Sequence, residues 1–139
     1  VNLIEKATGP TLPTGSQSFQ DTSDPVALKA VEAGIASGTG DGNFSPNASI
    51  TRQEICVMLN QVIRCVDEAK GSTTLTNTDT TLNSQFTDAG QVDSWAADSM
   101  ALLNNNGLMS GTSATTLSPK NNTSIQEAIT LILALYNKF

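Results

Sequence analysis

Arg52 offers more chemistry than any other residue in this sequence, and it sits where a helix should dislike it. It is the second residue of Thr51-Arg52-Gln53-Glu54, which opens the helical segment Ile55 to Val66. A helix N-terminus exposes unpaired N–H groups and a partial positive charge, so a cation there costs roughly a few tenths of a kcal/mol. Its readings are a solvated side chain, a partner for Glu54 or another nearby carboxylate, or a forked donor for an anionic ligand. Asp41, Asn43 and Ser45 alternate as calcium ligands do. However, a calcium loop starting at Asp41 needs glycine where Pro46 stands and glutamate where Arg52 stands. Asp41-Gly42-Asn43 therefore reads as a turn, with Gly42 supplying a positive φ. Asp21 and Asp24 could form a glycosidase pair, which needs carboxyls about 5 or 6.5–9.5 Å apart across a cleft. A loop start and a helix cap explain them better. Trp95 is either a stacking face for a sugar or a half-buried core aromatic at a helix start.

What is missing narrows the chemistry further. The chain has no histidine and two cysteines, Cys56 and Cys65, in one helical segment. Nine helical positions put their Cα atoms roughly 13–14 Å apart, beyond the reach of a disulfide. They read as small apolar side chains. No metal site, cofactor or catalytic residue is expected. Seven Lys+Arg against thirteen Asp+Glu give a net charge of −6, which excludes nonspecific nucleic-acid binding. No apolar run is long enough to span a membrane. The surface is light on charge and rich in Thr, Ser and Asn, a composition common among extracellular proteins.

The elements that must position Arg52 occur twice. A shift of 73 lays Gly34 on Gly107, Gly38 on Gly111, Phe44 on Leu117, Pro46 on Pro119 and Glu54 on Glu127. Phe19-Gln20-Asp21 and Phe86-Thr87-Asp88 open the two copies, with Phe19, Phe44 and Phe86 as core anchors for the loops. Each copy reads as helix, Gly-rich loop, helix. In the first, Asp24 caps, Pro25 starts, Ala27, Leu28 and Val31 form the stripe, and Gly34 stops the helix. In the second, Asp93 or Ser94 caps a helix that carries Trp95, Leu102 and Leu103 and stops at Gly107. Both second helices begin with a capping box, Thr51 with Glu54 and Ser124 with Glu127. Ile55, Leu59, Val62 and Val66 share one face. The last helix, Ile125 to about Tyr136, is apolar nearly all round, which predicts a central position. Residues 71–85 read as a Thr/Ser-rich linker. Val1 to Ala7 reads as the back half of a helix from a preceding copy. The fold expected is an all-α arrangement of tandem helix-loop-helix units.

Phe19-x-Asp21, the Gly38 to Pro46 loop and Ile50-Thr51-Arg52-x-Glu54 resemble the S-layer homology domain. Phe86-x-Asp88, Trp95-Ala96, Gly107-Leu108 and Ser110-Gly111 resemble a second copy. The resemblance divides the chain into residues 1–18, the tail of a preceding repeat plus linker; 19–70, a repeat; 71–85, linker; and 86–139, a degenerate repeat. It implies a pseudo-threefold helical bundle and a noncatalytic module of the bacterial cell wall or S-layer that anchors a larger surface protein. The implied partner is secondary cell-wall polysaccharide, in some members pyruvylated. Arg52, Thr51, Asp41, Gly42 and Trp95 are the implied contacts, and Glu54, Ser124 and Glu127 the structural caps. An anion would turn Arg52 from a liability into an asset, because a guanidinium joined to free N–H groups and a favourable dipole suits a carboxylate.

Copy two departs from this pattern. It carries Ile125 for Arg52 and Ala114-Thr115 for Asp41-Gly42, and so lacks the cation and the tight turn. The alternative is therefore a degenerate structural module that makes protein–protein contacts without glycan, including self-association that completes the bundle.

Overall fold

The computed structural model describes residues 1–139. Five helices follow one another: α1 (Asn2–Thr8), α2 (Pro25–Glu32), α3 (Arg52–Lys70), α4 (Ser94–Asn105) and α5 (Ile125–Tyr136). A 3-10 turn, Ala89–Gln91, precedes α4. There is no sheet; one isolated antiparallel bridge joins Thr51 to Asn122. The chain divides into two compact units, residues 1–48 with 61–72, and residues 49–60 with 73–139. The first turns of α3 thus belong to the second unit and the rest to the first.

The local signals act as the sequence predicts at most helix ends. The Asp24 carboxylate accepts from the Val26 N–H at 2.8 Å, and Pro25 occupies the first turn. Both α2 and α4 end in the same left-handed glycine motif. Gly34 N–H donates to Val31 O and Ile35 N–H to Ala30 O, while Gly107 N–H donates to Asn104 O and Leu108 N–H to Leu103 O. Ile35 and Leu108, the residues after the glycines, are buried. Both capping boxes form: Glu54 accepts from Thr51 N–H at 2.7 Å, and Glu127 from Ser124 N–H at 2.8 Å. The α4 cap differs from expectation. Asp93 holds the N-cap position but caps nothing with its side chain; its carboxylate accepts instead from Gln53 Nε2 and Lys120 Nζ.

The two Gly-rich loops are built alike. Asp21 accepts from the N–H groups of Phe44 and Ser45, at 2.8 and 2.7 Å. Asp88 accepts from Leu117 and Ser118, both at 2.8 Å. Thr39 N–H reaches Asn43 O in one loop and Thr112 N–H reaches Thr116 O in the other. Ser45 and Ser118 both carry a positive φ, 58° and 50°, a conformation that the neighbouring carboxylate bond holds in place. A Cβ at Gly38 would meet the Phe19 ring at 2.6 Å, and one at Gly111 would meet the Phe86 ring at 2.9 Å. Each repeat therefore needs glycine where its own phenylalanine passes under the loop.

In the first unit α1 is docked: Ile4 is buried, and Glu5 pairs with Lys29 at 2.8 Å. In the second unit the 73–85 stretch is tied down by asparagines, Asn77 bonding Asn106 and Asn105 bonding the carbonyls of Asp79 and Thr81. Ile55, Leu59, Val62 and Val66 are buried along α3. The expectation that α5 is central is corrected. Only Leu131 and Leu135 are buried, while Ile125, Ile129, Ile132, Leu133 and Tyr136 are exposed. An all-round apolar helix usually signals burial on every side, but in this chain α5 is packed along one stripe.

Candidate functional site

Arg52 is 6% exposed, which corrects the solvated reading, and its partner is not Glu54. Its Nε donates to Leu117 O at 2.8 Å, Nη2 to Ser110 O at 2.6 Å and Nη1 to Glu127 Oε1 at 2.8 Å. Met109 Sδ lies 3.5 Å from Nη2. The backbone does the same work. Arg52 N–H donates to Asn121 O and Gln53 N–H to Pro119 O, so the orphan donors at the start of α3 are met by carbonyls of the second Gly-rich loop. Those oxygens explain how a cation tolerates the positive end of α3: two carbonyl dipoles and a carboxylate surround it. Nearby, Gln53 and Asp93 exchange two hydrogen bonds, at 2.7 and 3.0 Å, and Asn60 Nδ2 meets Ser99 Oγ at 3.1 Å.

A pocket of about 250 Å³ opens beside the guanidinium. Leu108, Met109, Ser110 and Gly111 form one side, and Gln126, Glu127, Thr130 and Leu131 of α5 the other. Glu127 faces both ways. Its Oε2 takes the Ser124 N–H while Oε1 takes Arg52. The Ser124 N–H is the chief influence holding its carboxyl below the usual glutamate range. Partial burial opposes the shift, and the Ser124 side chain and the Arg52 charge assist it. For Asp88 the largest influence is burial, which raises its pKa, but the Leu117 and Ser118 N–H groups and the Arg52 charge outweigh it and the net shift is downward. Burial pushes the Cys56 thiol up to about 12.

Of the residues singled out from the sequence as ligand contacts, only Arg52 lines this pocket. Thr51 pairs with Asn122 and serves the capping box. Asp41 is occupied within its own turn, accepting from Thr39 and Asn43, and Gly42 carries a φ of 85°; both lie in the first compact unit. Trp95 is 56% exposed, so the core reading of its indole is corrected. No group of three or more His, Cys, Asp or Glu side chains could hold a metal ion. No helix is long and apolar enough to cross a membrane. Sequence reasoning missed Ser110 and Leu117, which act through backbone carbonyls and leave no mark in side-chain identity. It also read Glu127 as a cap alone, although in copy two the arginine is gone and the glutamate retained.

No curated protein matches the chain. The family model of the S-layer homology domain matches residues 22–56 and again 85–129. Domains of this family generally anchor proteins to cell-wall polysaccharide; they are binding modules, not a catalytic family, and occur in surface-associated proteins. Two matched segments covering more than half of the chain, each with its left-handed glycine stop and capping box, establish that the chain belongs to the S-layer homology domain family.

Proposed function

We propose that this chain is a noncatalytic wall-anchoring module that holds an acidic cell-wall polysaccharide at the Arg52 pocket and tethers its polypeptide to a bacterial envelope. One observation carries the reading: a buried guanidinium lines an open pocket, and Glu127, with which it forms a direct ion pair at 2.8 Å, has a side chain 38% exposed. A sugar carboxylate, of the pyruvylated kind or another, would take the place of Glu127 Oε1 on Nη1. Glu127 would keep its Oε2 on the Ser124 N–H, so α5 stays capped during the exchange. Arg52 stays aimed throughout, because Leu117 O and Ser110 O hold its other nitrogens. Exposed Trp95 offers a separate stacking face.

The test is calorimetric titration of cell-wall glycan fragments with and without their carboxylate. Thr130 is exposed at the pocket wall, so Thr130→Trp fills the pocket without touching the Arg52 bonds. Carboxylated fragments should bind more tightly than neutral ones, and Thr130→Trp should lose binding with its melting temperature unchanged. Equal affinity for both fragments, or full binding by the filled variant, would refute the proposal. A second reading, a module kept for assembly and not for glycan, is favoured by the internal engagement of Arg52, and silence with every fragment would select it.

A further inference from the structure

We propose that copies of this chain associate head to tail, the first repeat of one copy seating on α5 of another as the second repeat seats on α3 within the chain. The interface already exists once. In the second compact unit the start of α3 is covered by the second repeat through Arg52 to Leu117 O and Ser110 O, the Arg52 and Gln53 N–H groups to Asn121 O and Pro119 O, and Asn60 to Ser99. The shift of 73 carries that covered face of α3 onto Ile125, Ile129 and Leu133 of α5. Ile125 is 82% exposed and Leu133 55%, so the repeated helix presents uncovered the face that its counterpart buries.

The other half of the interface is repeated as well. The loop that covers α3 is fixed by the Asp88 clasp and positive-φ Ser118, and the Asp21 clasp and positive-φ Ser45 hold the first loop alike. The acceptors Ser110 O, Leu117 O, Pro119 O and Asn121 O correspond to those of Ser37, Phe44, Pro46 and Ala48. The side chains change together in a way that suits a second copy. Asn60 bonded to Ser99 maps onto Leu133 facing Val26, and Val26 is 48% exposed. A polar pair has become an apolar pair, one member on each free face. Arg52, which needs carbonyls and a carboxylate, maps onto Ile125, which needs neither. The proposed contact continues an interface the chain already makes, one repeat further along, and being heterologous it either closes a ring or propagates.

Sedimentation equilibrium over a concentration series tests this with the whole chain. Wild type should rise above monomer mass as concentration increases. Val26→Asp and Leu133→Asp change exposed residues, so each should keep the wild-type melting temperature and remain monomeric. Mixed one to one they should recover a heterodimer and stop there, because each retains the face the other lost. A wild type monomeric at every soluble concentration overturns the proposal. So does association of Leu133→Asp, or a Val26→Asp chain that associates as wild type, the behaviour of a symmetric α5-to-α5 dimer.

Discussion

Replacing Glu127 by Gln isolates the charge of one carboxylate that serves two donors. Glutamate gives Arg52 Nη1 one oxygen and Ser124 N–H the other. Glutamine has a single acceptor oxygen, so its amide must turn an N–H toward one of the two donors. Exposed ion pairs are worth about 0–1 kcal/mol, whereas breaking a buried pair costs about 3–5 kcal/mol. With the arginine side chain 7% exposed and the glutamate 38%, the loss belongs between these, at about 2 kcal/mol. For a chain of this size that lowers Tm by roughly 6–9 °C. The pH dependence separates charge from shape. The carboxyl is held below its ordinary value in the folded state, so its contribution is fully present above the unfolded pKa and is lost as pH falls through the folded one. Thermal denaturation by circular dichroism should therefore show Glu127→Gln less stable at pH 7, with the gap closing as pH falls below the ordinary glutamate range. No gap at neutral pH, or one that persists undiminished in strong acid, would refute the reasoning.

Asp88→Ala orphans the Leu117 and Ser118 N–H groups and should cost about 2–3 kcal/mol in urea unfolding. The wild-type advantage should fade on acidification, since Asp88 also titrates below its usual range. Gly111→Ala sets a Cβ 2.5 Å from the carbonyl oxygens of Ser113 and Thr116, and a loss of about 3 kcal/mol is expected by the same assay. Thr123 Oγ1 is buried without a partner, so Thr123→Val should leave stability unchanged or raise it by about 1 kcal/mol; a clear loss would expose a bond that the hydroxyl makes. Cys56, fully buried with its thiol pushed up to about 12, should resist a maleimide in the folded protein and react once denatured.

The helix punctuation was legible because it is local. Asp24-Pro25, Gly34, Gly107 and the two capping boxes are set by side chains within a few residues of the bonds they make. Arg52 was legible as a residue out of place, and the repeat pointed to what it does. Its acceptors were not, since Ser110 and Leu117 contribute backbone oxygens that any residue carries. The position of α5 was misread for a related reason. Composition reports how much of a helix prefers to avoid water, and neither Ile129 nor Leu133 encodes whether this chain supplies the covering surface. Trp95 shows the same limit, its exposed indole following from its place in the opening turn of α4.

α3 begins in one compact unit and finishes in the other. The segment that gene duplication would copy, loop and helix together, is therefore not the segment that folds as a body: the two frames are offset by part of a helix. A gene shortened at the linker would encode a helix whose opening turns have lost their lining, and a gene extended there would have to bring a new one. Copy number in such a chain can change only at the cost of remaking an interior.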